Sequence, residues 1–428
     1  LLGGRADHMF SRTTLFLPRM NCLFCQQPLT HQILDLGHSP LANGYLTAAE
    51  LNQKEAFYPL KLYRCTHCQL VQLSDHADTS DIFNDRYAYL SASSGSWRAH
   101  CQAYVEAIVP QLNLGPNSQV VELGSNDGTL LKHFQAFNVP ALGIDPATIS
   151  SQKAIDEGLQ VRTAFFTAEL AAELRQEGIA ADLIVGNNVL AHVPNINNFV
   201  AGIALLLKPG GTCTLEVPYL PNLLAYNEFD TVYHEHFFYF SLTALQRIMA
   251  AHALHISDAV QINIHGGSIR IFVNHNQHTN TSTAGLQALL AKEIQMGVDT
   301  KAFYAALQQK ALAIKTGFLQ WLHQQLALGK SITCYGAAAK GNTFLNYCGI
   351  TNTHIKYIAD VTPPKQGLYL PGSHILIVPE EKLLELKPDY IVVLPWNFRN
   401  EINERLKFTR AWGAQLVYFI PEFEVVAP

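Results

Sequence analysis

Cys22-Leu-Phe-Cys25 and Cys65-Thr-His-Cys68 each offer two thiolates three positions apart, with 39 residues between the pairs. A C-x-x-C turn brings two sulfurs to one ion, and two such turns complete a tetrahedron. Four soft sulfurs in that frame favour zinc. They fill every coordination position, so the metal would hold a small domain together without taking part in catalysis. Redox dithiols and incidental buried thiols are the competing readings. Cys101, Cys213, Cys334 and Cys348 have no such spacing and read as core thiols.

A second group lies in QVVELGSNDGTLL, residues 119–131, which reads as strand, glycine turn and helix. Gly124 permits a tight turn, and Gly128 would let the backbone approach a ligand closely. Asn126 and Thr129 stand where G-x-G-x-x-G has its second and third glycines. That counts against a dinucleotide, whose pyrophosphate needs the bare backbone. Glu122 and Asp127 flank the turn; acids repel a pyrophosphate but tolerate a cation. Asp145, 21 residues after Gly124, ends the strand of GIDP beside Pro146. A carboxylate there can accept both hydroxyls of a ribose. A ribose-bearing, positively charged, phosphate-free cofactor is S-adenosylmethionine. The turn alone fits plain tight-turn structure equally well. Together with Asp145, GNNVLAHV and LKPGG, it points to a class I methyltransferase core. Asn187 and Asn188 fall at a strand's carboxyl end, where ligands of open α/β sheets lie.

The third group is TVYHEHFFYFS, residues 231–241, which sets Tyr233, His234, Glu235 and His236 in a row. H-E-H lacks the i, i+4 pair of a helical zinc site, although a metal or purely structural cluster stays open. Histidine is the side chain best suited to move a proton near neutrality. A fourth group is YGAAAKGN, residues 335–342. Gly336 turns the chain after a strand, and the following helix start with Lys340 and Asn342 makes an anion site. The alternative is a second Rossmann-like scaffold whose glycines serve packing only. Asp360 and the loop TPPKQGLYLPG could border a nucleotide held there.

Positioning these residues requires three blocks. Residues 1–19 carry Arg5, Asp7, His8, Arg12 and Arg19 with no sustained apolar stretch. They are set aside as a tag or disordered extension, with Met9 and Met20 as plausible starts, and do not read as a secretory signal. Residues 20–80 read as a loop-rich zinc-binding domain. In residues 81–285 the runs VVEL, ALGID, ADLIVG and TCTLEVP alternate with helical stretches, as a parallel sheet wrapped in helices requires. LLLKPGGT closes a helix before the next strand, and INIHGGSIRIFV reads as a hairpin about Gly266-Gly267. Residues 286–428 open with helices of three- and four-residue apolar period. SITCYG, IKYIAD, HILIVP, DYIVVLP and QLVYFIP then read as the strands of a second, smaller α/β sheet. Of the 428 residues, 48% are hydrophobic and 15% charged, enough apolar material for packed cores. With 29 basic and 34 acidic residues, the net charge of −5 gives no broad positive field for nucleic acid. No uncharged apolar run approaches the roughly 18–20 residues of a membrane span. Cysteines without an export signal suit a reducing cytoplasm.

Taken together, the cysteine knuckles, VELGSNDG, YHEHFFYFS, HGGS at 265–268 and YGAAAKGN make the chain resemble the sugar C-methyltransferase family. The resemblance covers nearly all of residues 20–428. It implies an α/β fold: a class I methyltransferase Rossmann-like core, a small N-terminal zinc domain and a C-terminal Rossmann-like domain for the nucleotide sugar. It also implies methyl transfer from S-adenosylmethionine to C3 of a TDP- or GDP-linked 4-keto-deoxy sugar. By similarity, His236 would be the general base with Tyr233 and Glu235 beside it, and Tyr87 and His192 would line the sugar pocket. Tyr89 could replace Tyr87 there, and His192 could instead cap a helix. The rival functions are an O- or N-methyltransferase of another metabolite and a non-catalytic zinc-knuckle binding protein. Oligomeric state carries no sequence signal.

Overall fold

The computed structural model describes residues 20–74, 91–264, 266–276 and 282–426. Tyr87, Tyr89 and His265, and the expected extension at residues 1–19, lie outside the described residues. The first sheet holds β1 (His31–Ser39), β2 (Tyr58–Arg64) and β3 (Val71–Leu73), paired antiparallel in that order.

The second sheet is built from β4 (Val120–Leu123), β5 (Ala141–Asp145), β6 (Val161–Thr163), β7 (Ala181–Asn187) and β8 (Leu207–Pro218). These five strands are parallel. The next strand, β9 (Phe238–Tyr239), leaves this sheet and pairs with β3 of the small domain. The chain then returns with the antiparallel hairpin β10 (Leu254–Ile262) and β11 (Ser268–His275), which pairs with β8. The order is β10-β11-β8-β7-β4-β5-β6. β4 is buried along its whole length and β7 along most of it, as central strands of a sheet covered on both faces must be.

Two details depart from the sequence reading. Helix Ile196–Leu206 ends as expected, but β8 begins at once with Leu207. Lys208-Pro-Gly-Gly211 is therefore carried inside the strand, with Gly210 at φ +79° and a register irregularity opposite Ala181/Leu183. The helical run after residue 300 breaks into Lys301–Tyr304 and Leu307–Ala327. The longer of the two buries Phe318 and Leu322, and its Gln308 Oε1 accepts the Asp35 N–H of β1 at 2.7 Å.

The third sheet has the order β14-β13-β12-β15-β16-β17. Its members are β12 (Ile332–Tyr335), β13 (Tyr357–Ala359), β14 (Leu376–Val378), β15 (Tyr390–Val393), β16 (Gln415–Tyr418) and β17 (Glu424–Val426). Only β17 runs antiparallel. In both large sheets the strand order reverses at one place, between β4 and β7 and between β12 and β15. Ligands of doubly wound sheets bind outside the carboxyl ends of the strands at such a switch point. The two switch points open on a single cavity. Gly124 and Asn187 line it from one sheet, and Ala338, Ala339, Lys340, Pro395 and Asn397 from the other.

Candidate active site

The cavity has a volume of about 630 Å³, within the roughly 300–1,000 Å³ of small-molecule sites. Among the residues expected to hold the cofactor, Gly124, Asn126, Asp145, Pro146, Asn187 and Asn188 line it. Gly124 takes φ +70° and Asn126 φ +49°, so the loop after β4 turns sharply at the strand's end. Asp145 holds that loop. Its Oδ2 accepts the Asn126 N–H at 2.9 Å and its Oδ1 the Ala147 N–H at 2.9 Å. Burial pushes the Asp145 carboxyl above its ordinary range, and these backbone donors oppose the shift.

The remaining three cofactor residues are arranged differently from the sequence reading. Gly128 does not line the cavity. A Cβ there would sit 2.1 Å from Leu159 Cδ1 and 3.2 Å from Ala154 Cβ, so the glycine allows close packing against helix Thr148–Asp156. Asp127 is fully buried and accepts the Ala92 N–H at 3.1 Å and the Thr129 hydroxyl at 2.6 Å. Glu122 lies beneath the loop; burial first, then Asp145 and Asp127, raise its carboxyl well above the usual range.

The residues present fit an adenosyl cofactor. Asn187 has neither its side-chain oxygen nor its nitrogen hydrogen-bonded, although both atoms are buried. A buried amide at the switch point with no protein partner is a strong sign of a ligand contact. The four cysteines also fit a metal. Their sulfurs lie within 4.8 Å of one another, with Cys22–Cys68 at 3.6 Å and Cys25–Cys65 at 3.5 Å. Edges of a tetrahedron with Zn–S of about 2.3 Å are about 3.8 Å long.

Thr231, Tyr233, Glu235, His236 and Tyr239 line the same cavity, and contacts from all three domains hold the segment 231–241. The Phe237 N–H donates to Ala191 O at 2.8 Å, and Phe237 O accepts the Leu73 N–H at 3.0 Å. β9 completes the edge of the small-domain sheet. The Leu220 N–H reaches Phe240 O at 2.9 Å. From the C-terminal domain, Trp396 Nε1 donates to Asp230 Oδ2 at 2.8 Å and the Thr343 hydroxyl to Val232 O at 3.1 Å. Ser241 caps helix Leu242–Ala250. Glu293, fully buried, takes that helix's Leu242 and Thr243 N–H groups and the Tyr219 hydroxyl. The three phenylalanines of the motif, Phe237, Phe238 and Phe240, are buried and anchor it.

This anchoring presents Tyr233, Glu235 and His236 to the cavity, with His192 beside them. His236 Nδ1 lies 3.1 Å from Thr231 O. A carbonyl can only accept, so Nδ1 carries the proton and Nε2 the lone pair. The Tyr233 hydroxyl, 2.9 Å away, donates to that lone pair. The His192 ring meets His236 edge-on at 4.8 Å. Burial first, then His192, holds His236 well below the ordinary imidazole range. Burial brings His192 down to about 4. Both rings are therefore neutral at pH 7. Burial raises the Glu235 carboxyl to about 7, opposed by a hydrogen bond from Asn43 and by Lys365.

On the C-terminal side, helix Ala339–Cys348 opens toward the cavity with no side-chain cap. The Lys340 ammonium donates to Asn397 Oδ1 at 2.8 Å and lies 4.5 Å over the Trp396 ring. Gly336 and Asn342, expected at the substrate, do not line the cavity. Gly336 (φ +84°) makes the turn against Pro395, where a Cβ would come within 2.4 Å. Asn342 is buried and bonded within its own helix to Asn346. Lys365, in the loop expected to border a nucleotide, lines the cavity, and so do Asn43 and Tyr45, which sequence reasoning missed. These two carry no motif; the chain's path alone brings them there.

Three family models match: a zinc binding domain over residues 22–83, a methyltransferase domain over 97–256 and a C-methyltransferase C-terminal domain over 263–421. The C-methyltransferase NovU of Streptomyces niveus is 32% identical over 410 residues, 96% of this chain and 97% of the relative. A ubiquinone biosynthesis O-methyltransferase of Burkholderia thailandensis is 33% identical over 100 residues, 22% of this chain and 42% of that protein. Among solved structures, the magnesium protoporphyrin IX methyltransferase of Synechocystis PCC 6803 aligns at TM-score 0.33 and 16% identity, covering 46% of this chain and 94% of that one. Among the described residues no helix is long and apolar enough to cross a membrane. With a full-length relative, all three domains matched, and a cofactor loop and cysteine cluster that fit their ligands, the chain belongs to the S-adenosylmethionine-dependent C-methyltransferases that carry an N-terminal zinc-binding domain.

Proposed function

We propose that the enzyme methylates C3 of a TDP- or GDP-linked 4-keto-deoxy sugar through an enolate. The observation that carries this reading is the Tyr233–His236 pair. One imidazole nitrogen is tied to Thr231 O, and the other holds its lone pair toward a phenol on the wall of the cofactor's cavity. A C–H next to a ketone is acidic because its conjugate base is an enolate. His236, neutral at pH 7, takes that proton on Nε2. For this the Tyr233 hydroxyl must turn away from Nε2, and the C4 carbonyl oxygen is the acceptor it finds. Its hydrogen bond strengthens as charge gathers on that oxygen. The bound cofactor supplies an electrophilic methyl group to the carbanion carbon. Asp145 would accept the ribose hydroxyls, Asn187 and Asn188 would contact the rest of the cofactor, and His192 would border the sugar. The diphosphate docks at the uncapped amides of helix Ala339–Cys348, with Lys340 and Lys365 beside it. Knuckle thiols that must stay reduced favour a cytoplasmic enzyme.

The test uses a panel of 4-keto nucleotide sugars in heavy water without methyl donor, read by mass spectrometry and NMR. The expected result is deuterium at C3 and, once the donor is added, a mass gain of one methyl. Exchange at C5 alone, the other carbon flanking the ketone, would move the methyl site. No exchange in a preparation that binds the cofactor would refute the enolate. Asp145→Ala is expected to weaken S-adenosylmethionine binding by at least about tenfold in calorimetry. It removes the ribose acceptor and releases two loop amides, each hydrogen bond to a charged group contributing about 1.5–3 kcal/mol. An unchanged affinity would place the ribose elsewhere.

A further inference from the structure

We infer that Asn43, from the small zinc-binding domain, is a positioning residue that fixes the orientation and ionisation of Glu235. Its Nδ2 donates to Glu235 Oε1 at 2.6 Å across 192 positions of sequence. An ionised carboxylate can only accept, so the amide nitrogen faces Glu235, and Asn43 Oδ1 lies 3.2 Å from the Tyr45 hydroxyl oxygen. Tyr45 is buried, and its hydroxyl donates to Ala337 O of the C-terminal domain at 2.7 Å. The same carbonyl receives the Lys365 ammonium at 2.9 Å. A continuous chain of polar contacts thus runs from the C-terminal loop through the small domain to the catalytic segment.

A donor aimed at a carboxylate favours its ionised form. Other groups face Glu235 as well. Lys365 favours the charge, and burial raises the Tyr45 hydroxyl above its ordinary value, so it stays uncharged. His192 makes a hydrogen bond to the Glu235 backbone, and the neutral His236 follows it in the chain. Among these, Asn43 is the donor in direct contact with the carboxylate. Its loss removes a charge-assisted bond from a buried group whose carboxyl already stands at about 7. The protonated form of Glu235 then prevails at neutral pH.

The inference assigns Asn43 to the site proposed above, and it rests on that reading for its effect on rate. The experiment therefore has two readouts. In the zinc-loaded full-length protein, the Glu235 titration is followed by its carboxyl infrared band, assigned with Glu235→Gln. Asn43→Ala is expected to strengthen Glu235 proton binding by about tenfold or more. Asn43→Asp fills the same space without leaving a cavity and is expected to shift the titration the same way, since two carboxylates in contact cannot both ionise. Turnover at pH 7 falls at least about fivefold in each, the acid limb of the rate profile moves to higher pH, and calorimetric S-adenosylmethionine affinity stays within twofold. An unmoved Glu235 titration in both variants overturns the inference. A wild type that turns over no keto sugar overturns the substrate reading while leaving the titration result to decide the role of Asn43.

Discussion

His236→Asn is expected to lower turnover by at least about a hundredfold, within the 10²–10⁴ that positioned general bases contribute. Asparagine keeps a donor for Thr231 O but has no basic lone pair to replace Nε2. The cofactor loop is built from other strands, so S-adenosylmethionine affinity should change little. The signature is a loss in kcat with the calorimetric Kd preserved. The pH profile adds a second check. His236 is held well below the ordinary imidazole range, by burial first and His192 second, so it stays deprotonated through neutral pH and sets no limb near 6.5. Glu235, raised to about 7 mainly by burial, takes up a proton as pH falls through that value, and the rate should decline with it. Near-normal turnover in His236→Asn would remove the imidazole from the base role, and a flat profile through pH 7 would remove Glu235 from the active form.

Loss of the metal is expected to have the other large effect. Cys65→Ser, or chelation of the bound zinc, should disorder a segment distant in sequence from the cysteines. The second knuckle leads directly into β3, and β3 is the strand on which β9 is built, with Val71 opposite Tyr239 and Gln72 opposite Phe238. The first knuckle is tied to the same strand, because the Leu23 N–H donates to Gln72 Oε1 at 3.0 Å. A two-residue strand cannot hold itself in place; β3 supplies its ladder, alongside the backbone bonds to Ala191 and Leu220. Structural zinc sites contribute about 10–16 kcal/mol to folding in small domains, so the metal-free domain should open. Hydrogen exchange should then accelerate in peptides covering 71–74 and 236–240, with turnover falling at least about tenfold and recovering when zinc is returned to the chelated protein. Unchanged protection of residues 236–240 after removal of the metal would show that this segment does not depend on the knuckles.

Features whose physical cause is local were legible in the residues themselves. Two thiols in a C-x-x-C turn meet one ion wherever the turn sits, and the four sulfurs do converge. Gly124 and Asp145 close the ends of adjacent parallel strands, so a short strand-helix-strand unit suffices to bring them together. The alternation of apolar runs and helices likewise announced both doubly wound sheets, since it reflects burial on two faces. Shorter pieces left no pattern: β6 has three residues and β9 has two.

Contacts between distant parts of the chain were settled only by the tertiary structure. A glycine in sequence does not say whether its missing Cβ makes room for a ligand or for a neighbour; Leu159 beside Gly128 and Pro395 beside Gly336 give packing as the answer. The tautomer of His236 depends on a carbonyl five residues away and on a phenol three residues away, whose directions follow from how β9 is clamped. The partner of Glu235 comes from another domain. Spacing along the chain encodes which groups share one turn, strand or helix. Which groups meet across a cavity depends on the path of the whole backbone, and no periodicity in the residues records it.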